Sequence, residues 1–212
     1  MEKSLILIVD DTRDNIDILV NILGGDNEIK VALNGEKALK IAKSNPLPDL
    51  ILLDIMMPEM DGYEVCRRLK EDPATSEIPV IFLTAKAEAA DEEKGFNLGA
   101  VDYITKPFSP TVIKARVSTH LRLHDQSMAL LAEINERTQE LNETRLKIIQ
   151  RLGRAAEYRD NETGLHVVRM AHYSKLIAIA YGGHDDWVEM LFNAAPMHDV
   201  GKIGISDGVL LK

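Results

Sequence analysis

Cysteine is almost absent from this chain of 212 residues, and long apolar runs and an excess of basic charge are missing altogether. Because Cys66 is the only cysteine, no disulfide can form within the chain, which fits a reducing, cytoplasmic compartment. Cys66 lies in a helical stretch and is interpreted as a small core residue, not as a nucleophile. No apolar run approaches the ~20 residues of a membrane-spanning helix, and the N-terminus lacks a signal-peptide core. The 25 basic and 34 acidic side chains give a formal charge of −9, which argues against a DNA-binding protein.

Four apolar segments in the first half of the chain each end at a polar residue. Asp10 and Asp11 follow the first segment, Asp54 follows the second, Thr84 follows the third and Lys106 follows the fourth. Parallel strands of an open α/β sheet bring their carboxyl ends to one edge, where ligands bind. Three carboxylates held together repel one another and call for a hard cation such as Mg²⁺, while a hydroxyl and an ammonium suit phosphoryl oxygens. The pattern therefore predicts a phosphoryl-transfer site.

The same part of the chain alternates between strand patterns and helix patterns. Alternation of this kind indicates parallel strands with helices on both faces of the sheet, which is an α/β fold. Strands are predicted at 5–9, 28–33, 49–53, 79–83 and 101–104. Helices are predicted at 13–23, 35–44, 62–71, 88–98 and from 109 onward.

Several separated motifs in residues 1–120 agree in order and spacing with one known family. The motifs are LILIVDD, LPDLILLDIMMPEMDG, IPVIFLTA and GAVDYITKPF. This segment resembles a response-regulator receiver domain. The resemblance implies a flavodoxin-like, doubly wound parallel sheet of five strands in the order 2-1-3-4-5, for which a receiver domain is a known example.

The resemblance also implies roles for the residues at the strand ends. Asp54 would accept a phosphoryl group from a histidine kinase or a phosphotransfer protein. Asp10, Asp11 and Asp54, with the backbone carbonyl of Met56, would hold Mg²⁺.

The other matching positions concern the phosphoryl group and the response to it. Thr84 and Lys106 would bind the phosphoryl oxygens, and Tyr103 matches the aromatic residue that changes rotamer between inactive and active states. The peptide bond between Lys106 and Pro107 is predicted to be cis, since this corner of receiver domains usually takes that form.

The segment 121–152 is rich in good helix formers and is predicted to be a helical linker. Ile134, Leu141 and Ile148 recur every seven residues, and a parallel coiled coil that forms a homodimer would bury this stripe. Arg137 and Thr144 interrupt the second core position. A solvated single helix, or a helix docked on its own domain, is the alternative.

The segment 153–212 contains a second set of residues that could bind metal. His198 and Asp199 can ligate a divalent cation, and Glu162 and His166 are spaced so that both can point from one helical face. Lys202 lies one turn beyond Asp199 and could neutralise a phosphate charge. A histidine with a neighbouring aspartate can equally be a hydrogen-bonded pair in a core.

Residues 151–212 resemble the opening of an HD-GYP domain, the group of HD proteins that hydrolyses cyclic di-GMP. The stretches EYRDNETGLHVVRM and PMHDVGKIGISDGVLLK carry the match. It implies that Glu162, His166, His198 and Asp199 ligate a transition metal, Fe or Mn, and that Lys202 contacts the substrate phosphate. Later family elements are missing, among them a paired His-His and the Gly-Tyr-Pro loop.

The incomplete second segment leads to three expectations. Four ligand side chains are too few to hold two or three cations with defined geometry, so the chain as given is expected not to hydrolyse cyclic di-GMP at a useful rate. A partial, all-α core is also expected to leave four apolar side chains poorly covered, namely Leu176, Ile177, Leu191 and Phe192. The chain is therefore either a truncation of a longer enzyme or a natural remnant.

Two functional hypotheses follow from these patterns. The first is a regulated phosphodiesterase, in which phosphorylation of Asp54 acts through the linker on the HD-type segment. The second is a non-enzymatic dimeric adaptor, in which a degenerate HD remnant binds a partner. A continuing reading frame with the missing motifs would favour the first hypothesis, and a stop codon would favour the second. A DNA-binding output is disfavoured, because nothing after residue 120 reads as a basic recognition helix.

Overall fold

The computed structural model describes residues 3–85, 89–157 and 166–210. By its internal contacts the chain divides into two compact units, Met1–Leu130 and Leu131–Lys212. The first unit alternates strands and helices, and the second is helical. No helix among the described residues is both long and apolar enough to cross a membrane.

The first unit contains a parallel sheet of five strands in the order β2-β1-β3-β4-β5. This order and the flavodoxin-like fold confirm the prediction. The strands are β1 (Leu5–Val9), β2 (Glu28–Ala32), β3 (Leu50–Asp54), β4 (Val80–Thr84) and β5 (Asp102–Thr105).

Helices alternate with these strands. They are α1 (Arg13–Leu23), α2 (Gly35–Ala42), α3 (Gly62–Glu71), α4 (Ala89–Asn97) and α5 (Pro110–Glu157). Two of them begin at residues whose side chains accept a hydrogen bond from the first turn, Asn34 for α2 and Asp61 for α3. Such caps satisfy backbone N–H groups that have no partner inside the helix.

The core lies on both faces of the sheet. β1, β3 and β4 are buried along their whole length, which is why each of them reads as a continuous apolar run. Alternate side chains point to opposite faces, so that Leu7 and Leu53 join the core beside α3, and Ile8 and Leu52 join the core beside α1 and α5. β2 is one of the two edge strands, and Glu28 and Val31 are exposed there.

Gly62 brings the start of α3 against the end of β3. A Cβ at this position would overlap the backbone carbonyl oxygen of Asp54, so only glycine fits without displacing the strand end. The backbone N–H of Gly62 also donates to the carbonyl of Ile55, at 3.0 Å. The loop after Asp54 is therefore held close to the sheet edge.

The helix α5 confirms the prediction of a long helix, and residues 120 and 152 both lie inside it. Ile113, Val117 and Leu121 pack into the core of the first unit. Further along the helix the predicted stripe is open to solvent, with Ile134 50% exposed and Leu141 70% exposed. The coiled coil remains a prediction.

The second unit contains α6 (His166–Ala180), α7 (Asp185–Ala194), two 3₁₀ turns and α8 (Asp207–Leu210). Leu176 and Ile177 are 62% and 67% exposed, as expected for a poorly covered core. The same expectation is wrong for Leu191 and Phe192, which are half-buried. Phe192 is covered because its ring packs edge-to-face on the ring of His172, at 5.2 Å between centroids.

Candidate phosphoryl-transfer site

The polar residues predicted at the strand ends lie at the carboxyl edge of the sheet. Asp10 and Asp11 follow β1, Asp54 is the last residue of β3, and Thr84 is the last residue of β4. Asp54 pairs with Leu83 in the sheet register, so Thr84 lies one position beyond it on the neighbouring strand. Thr84 pairs in turn with Thr105, the residue before Lys106.

Three carboxylates converge at this edge. Ligand oxygens of Asp10, Asp11 and Asp54 lie within 4.8 Å of one another. Asp10 is fully buried and Asp54 is 3% exposed, whereas Asp11 is exposed and gives the cluster access to solvent. Within the described ranges this is the one cluster of three or more acidic, histidine or cysteine side chains at such distances. Hard oxygen ligands of this kind fit Mg²⁺, which receiver domains bind through their acidic cluster.

Lys106 provides positive charge in the cluster. Its ammonium donates to Oδ2 of Asp10 at 2.8 Å and lies 3.1 Å from Oδ1 of Asp54. Burial by itself lowers the pKa of Lys106, but the hydrogen bonds to Asp10 and Asp54 outweigh it and leave that pKa raised. Lys106 therefore remains a cation throughout the neutral range. The bond between Lys106 and Pro107 is cis, as predicted.

The surroundings of Asp54 act on its pKa in opposite directions. Its pKa is raised, first because burial removes water from the carboxylate and second because the charge of Asp10 repels it. Lys106 and the backbone N–H of Met56, which donates to the carboxylate, act in the opposite direction. A cation between Asp10 and Asp54 would offset the remaining repulsion, since an opposite charge favours the ionised form.

Met56, Thr84 and Tyr103 complete the predicted set. The side chain of Met56 is 74% exposed beside the site. The side chain of Thr84 is buried, and its backbone carbonyl accepts from the N–H of Lys106 at 2.7 Å. Tyr103 is buried between Phe82 and Phe96, with ring centroids 5.5 Å and 5.1 Å away.

The structure adds two groups to the site that the sequence motifs did not identify. The side-chain amide of Asn15 donates to both oxygens of Asp10, and the backbone N–H of Thr12 donates to one of them. The sequence feature that could have identified Asn15 is its position in the first turn of the helix after β1. Side chains of a helix tilt toward its N-terminus, so a polar residue there faces the preceding strand end.

In the second unit the predicted ligands are neighbours in pairs, but His166, His198 and Asp199 do not converge within the distances found for the acidic cluster of the first unit. The rings of His166 and His198 are 6.1 Å apart between centroids, and Nε2 of His198 lies 3.1 Å from Oδ2 of Asp199. Nδ1 of His198 donates to the carbonyl of Ala195 at 2.9 Å, so Nε2 is the ring nitrogen that faces Asp199. Glu162 lies outside the described residues.

Lys202 lies beside this second group. Its ammonium donates to Oδ2 of Asp199 at 2.9 Å. This hydrogen bond is the largest influence on the pKa of Asp199, and it outweighs the opposing effect of burial, so that the pKa lies below its ordinary value. Asp199 is therefore ionised at neutral pH.

Known proteins resemble this chain at two scales. Over its whole length the chain is 44% identical to a Vibrio cholerae protein named "Probable cyclic di-GMP phosphodiesterase", of which it covers 51%. Over 77% of its length it is 39% identical to the cyclic di-GMP phosphodiesterase response regulator RpfG of Xanthomonas campestris, of which it covers 45%. The chain thus spans about half the length of these curated relatives.

The similarity to solved structures concerns the first unit. A two-component response regulator from Clostridium difficile is 30% identical and superposes with a TM-score of 0.53, over 57% of this chain and 97% of that one. Residues 6–118 match the family described as the response regulator receiver domain. A receiver domain takes its phosphoryl group from a phosphodonor partner. Because the match covers more than half of the chain and agrees with the sheet order and the acidic cluster, this chain belongs to the response regulator receiver domain family.

Proposed function

We propose that this response regulator accepts a phosphoryl group on Asp54 and couples that event to a cyclic di-GMP phosphodiesterase output of the HD-GYP type. The observation that carries the first part is the convergence of Asp10, Asp11 and Asp54 within 4.8 Å, with Lys106 bound to two of them. No other arrangement of the described acidic residues offers a comparable cation site next to a buried carboxylate at a sheet edge.

In the proposed reaction a carboxylate oxygen of Asp54 attacks phosphorus in a phosphohistidine of a histidine kinase or a phosphotransfer protein. The new O–P bond forms as the P–N bond breaks, and the imidazole nitrogen keeps the electron pair of that bond. Mg²⁺ held by Asp10, Asp11, Asp54 and the carbonyl of Met56 would supply charge that offsets the negative phosphoryl oxygens. Lys106, which already contacts Asp54, is placed to donate to a phosphoryl oxygen.

Thr84 and Tyr103 would carry the signal away from the acyl phosphate. Thr84 is the last residue of β4, one position beyond the sheet partner of Asp54, and its hydroxyl would bind a phosphoryl oxygen. Tyr103 is packed inward in this structure. We expect the position of the Tyr103 side chain to depend on whether Thr84 binds a phosphoryl oxygen.

Phosphorylation of Asp54 can be tested directly. Asp54→Asn should abolish the +80 Da mass shift that acetyl phosphate with Mg²⁺, or a cognate kinase, produces in intact-mass spectrometry, since ~80 Da is the mass of one added phosphoryl group. Asp17→Asn is the matched control, because Asp17 is an exposed aspartate of α1. Undiminished labelling of the Asp54 variant would refute the assignment, and loss of labelling in the control would point to damage of the fold.

Two observations support the phosphodiesterase output. The similarity to the Vibrio cholerae relative extends over 100% of this chain, so it includes the second unit. In that unit the ring of His198 lies 6.1 Å from that of His166 and 3.1 Å from the carboxylate of Asp199, and imidazole with carboxylate is a donor set that suits Fe or Mn. Glu162 would add a fourth ligand, and Lys202 would contact a substrate phosphate.

The second site can be tested by metal binding. In a variant with Asp10→Asn and Asp11→Asn, which silences the receiver site, Mn²⁺ titrated by electron paramagnetic resonance should still bind at one weak site. His198→Ala and Asp199→Ala should remove that binding, and His184→Ala should leave it unchanged, because His184 only precedes α7. Binding that survives loss of both His198 and Asp199 would contradict the assignment.

The adaptor hypothesis is less well supported than the phosphodiesterase output. An adaptor with a degenerate remnant has no need for two neighbouring histidines, one of them in contact with an aspartate. A protein that carries this segment together with the missing motifs should hydrolyse cyclic di-GMP with Mn²⁺ or Fe²⁺, and His198→Ala should stop it. Stable binding of a protein partner without any turnover would favour the adaptor instead.

A further inference from the structure

Asn15 makes an unusual contact with Asp10. Its side-chain amide nitrogen is 3.0 Å from Oδ1 and 3.0 Å from Oδ2 of the same carboxylate. Asp10 is fully buried, and Asn15 is half-buried in the first turn of α1. The amide nitrogen therefore lies midway between the two carboxylate oxygens and does not favour either one.

The other donors to Asp10 each reach one oxygen. The backbone N–H of Thr12 donates to Oδ1 at 2.9 Å, and the ammonium of Lys106 donates to Oδ2 at 2.8 Å. A single contact of this kind leaves the carboxylate free to turn about its Cβ–Cγ bond. Thr12 and Lys106 together hold both oxygens, but Asn15 is the one of the three groups that contacts both oxygens by itself, so its hold on the carboxylate does not depend on Lys106.

Asn15 and Lys106 would respond differently to a bound cation, because Lys106 is charged and Asn15 is not. The ammonium of Lys106 repels a divalent cation next to Asp10 and would have to shift from its present position. The amide of Asn15 is neutral, so it can keep its contact while the cation takes a remaining lone pair of the carboxylate, which has about four such positions.

We propose that Asn15 is a positioning residue for the cation site, which orients the carboxylate of Asp10 for Mg²⁺ without itself binding the ion or the phosphoryl group. The proposal rests on the proposed function of this site as a Mg²⁺ site. Hydrogen-bonded partners of metal ligands often change metal affinity by ~10–100-fold when they are removed. A residue that served only the stability of α1 would leave the affinity of the folded protein for the ion unchanged.

Metal affinity is the measurement that separates these roles. In a His198→Ala background, which removes the second candidate site, Asn15→Ala should weaken Mn²⁺ binding by ~10-fold in paramagnetic resonance titrations and Mg²⁺ binding equally by calorimetry. Asn15→Leu tests the same loss with a side chain of similar volume. Asn21→Ala is the matched control, because Asn21 is an exposed asparagine of the same helix.

A double-mutant cycle tests whether the effect acts through Asp10. With Asp10→Asn already in place, Asn15→Ala should weaken Mn²⁺ binding by less than ~2-fold, since the oriented charge is gone. Equal dissociation constants for the wild type, Asn15→Ala and Asn15→Leu, with circular dichroism that shows all three folded, would overturn the proposal. Absence of Mn²⁺ binding in the His198→Ala parent itself would instead refute the Mg²⁺ site. If both Asn15 variants are unfolded without metal, the positioning role is also refuted, because the residue is then required for the fold.

Discussion

The ammonium of Lys106 donates a hydrogen bond of 2.8 Å to the carboxylate of Asp10, a residue 96 positions earlier in the chain. The contact connects the end of β1, an inner strand, with the end of β5, the edge strand beyond β4. It also places a positive charge where a cation would bind. Lys106 therefore stabilises the metal-free site, and we expect it to compete with the metal.

Removal of Lys106 should destabilise the protein more without Mg²⁺ than with it. Lys106→Ala leaves the fully buried Asp10 without its cation and should lower the free energy of unfolding by about 2–4 kcal/mol in the absence of Mg²⁺. The loss should shrink as Mg²⁺ is added, because the ion replaces the missing charge. Urea unfolding with and without Mg²⁺ measures both values.

Lys114→Ala provides the control for this experiment. Lys114 is an exposed lysine whose ion pair with Asp26 is 3.8 Å long, so its loss should change the stability by less than about 0.5 kcal/mol. A stability loss at Lys106 that Mg²⁺ does not reduce would contradict the idea that lysine and metal share one position.

The architecture of the receiver unit could be predicted because its signals are local. β1, β3 and β4 are buried on both faces, so each appears in the sequence as an unbroken apolar run that stops at a polar residue. Their parallel arrangement then places Asp10, Asp54 and Thr84 at one edge without further information. The predicted bounds of these strands differ from the observed ones by a single residue at most.

The contacts that orient the site could not be predicted in the same way. The role of Asn15 depends on the rotamer of Asp10 and on the angle at which α1 leaves β1, neither of which is visible in residue spacing. Coverage of Phe192 likewise depends on the ring of His172 from another helix. Both are contacts between elements, whereas periodicity reports only which side of one element is apolar.

Gly62 should be far less tolerant of substitution than an exposed glycine. A methyl group there would overlap the carbonyl of Asp54, so Gly62→Ala should lower the free energy of unfolding by about 1–3 kcal/mol and slow the labelling of Asp54. Gly25→Ala is the control, since nothing lies within 4 Å of a Cβ at Gly25. Urea unfolding and acetyl phosphate labelling measure the two effects. Equal stability of both variants would mean that the end of β3 can move freely.

The absence of a side chain at Gly95 leaves room for the buried position of the Tyr103 ring. A Cβ at Gly95 would overlap the hydroxyl of Tyr103 and would lie 2.8 Å from Cε2 of Phe82. Gly95→Ala should therefore destabilise the inward position by about 1–3 kcal/mol in urea unfolding. Tyr103→Phe added to Gly95→Ala should recover part of that loss, because it removes the overlapping oxygen. Additive effects of the two changes would contradict this coupling.

Cys66 should make stability fall at alkaline pH. Burial raises the pKa of its thiol from 9.0 to about 11, although the charge of Lys70 acts in the opposite direction. Above pH 9 the thiol of the unfolded chain ionises while that of the folded chain does not, so ionisation favours unfolding. Between pH 9 and 11 this group should remove about 2–3 kcal/mol of stability, and none below pH 8.

The measurement for Cys66 is a comparison of pH profiles. Urea unfolding of the wild type and of Cys66→Ala from pH 7 to 10.5 should give curves that are parallel below pH 8 and converge above pH 9. Ionisation of lysine and tyrosine side chains affects both proteins alike and cancels in the difference. Curves that stay parallel throughout would show that the folded thiol ionises near its ordinary pKa.

The apolar stripe of α5 should hold two copies of the chain together. Ile134, Leu141 and Ile148 are at least half exposed, and a parallel partner helix in register would bury all three, which is the arrangement that a heptad repeat favours. Light scattering at tens of micromolar should therefore give the mass of a dimer, and Ile134→Asp with Leu141→Lys should give that of a monomer. The control is Glu136→Lys with Glu143→Lys, since both glutamates project from the opposite side of a helix with 3.6 residues per turn. A monomeric wild type would refute the coiled coil, and dissociation by the control pair would show that charge along the helix, not the stripe, decides assembly.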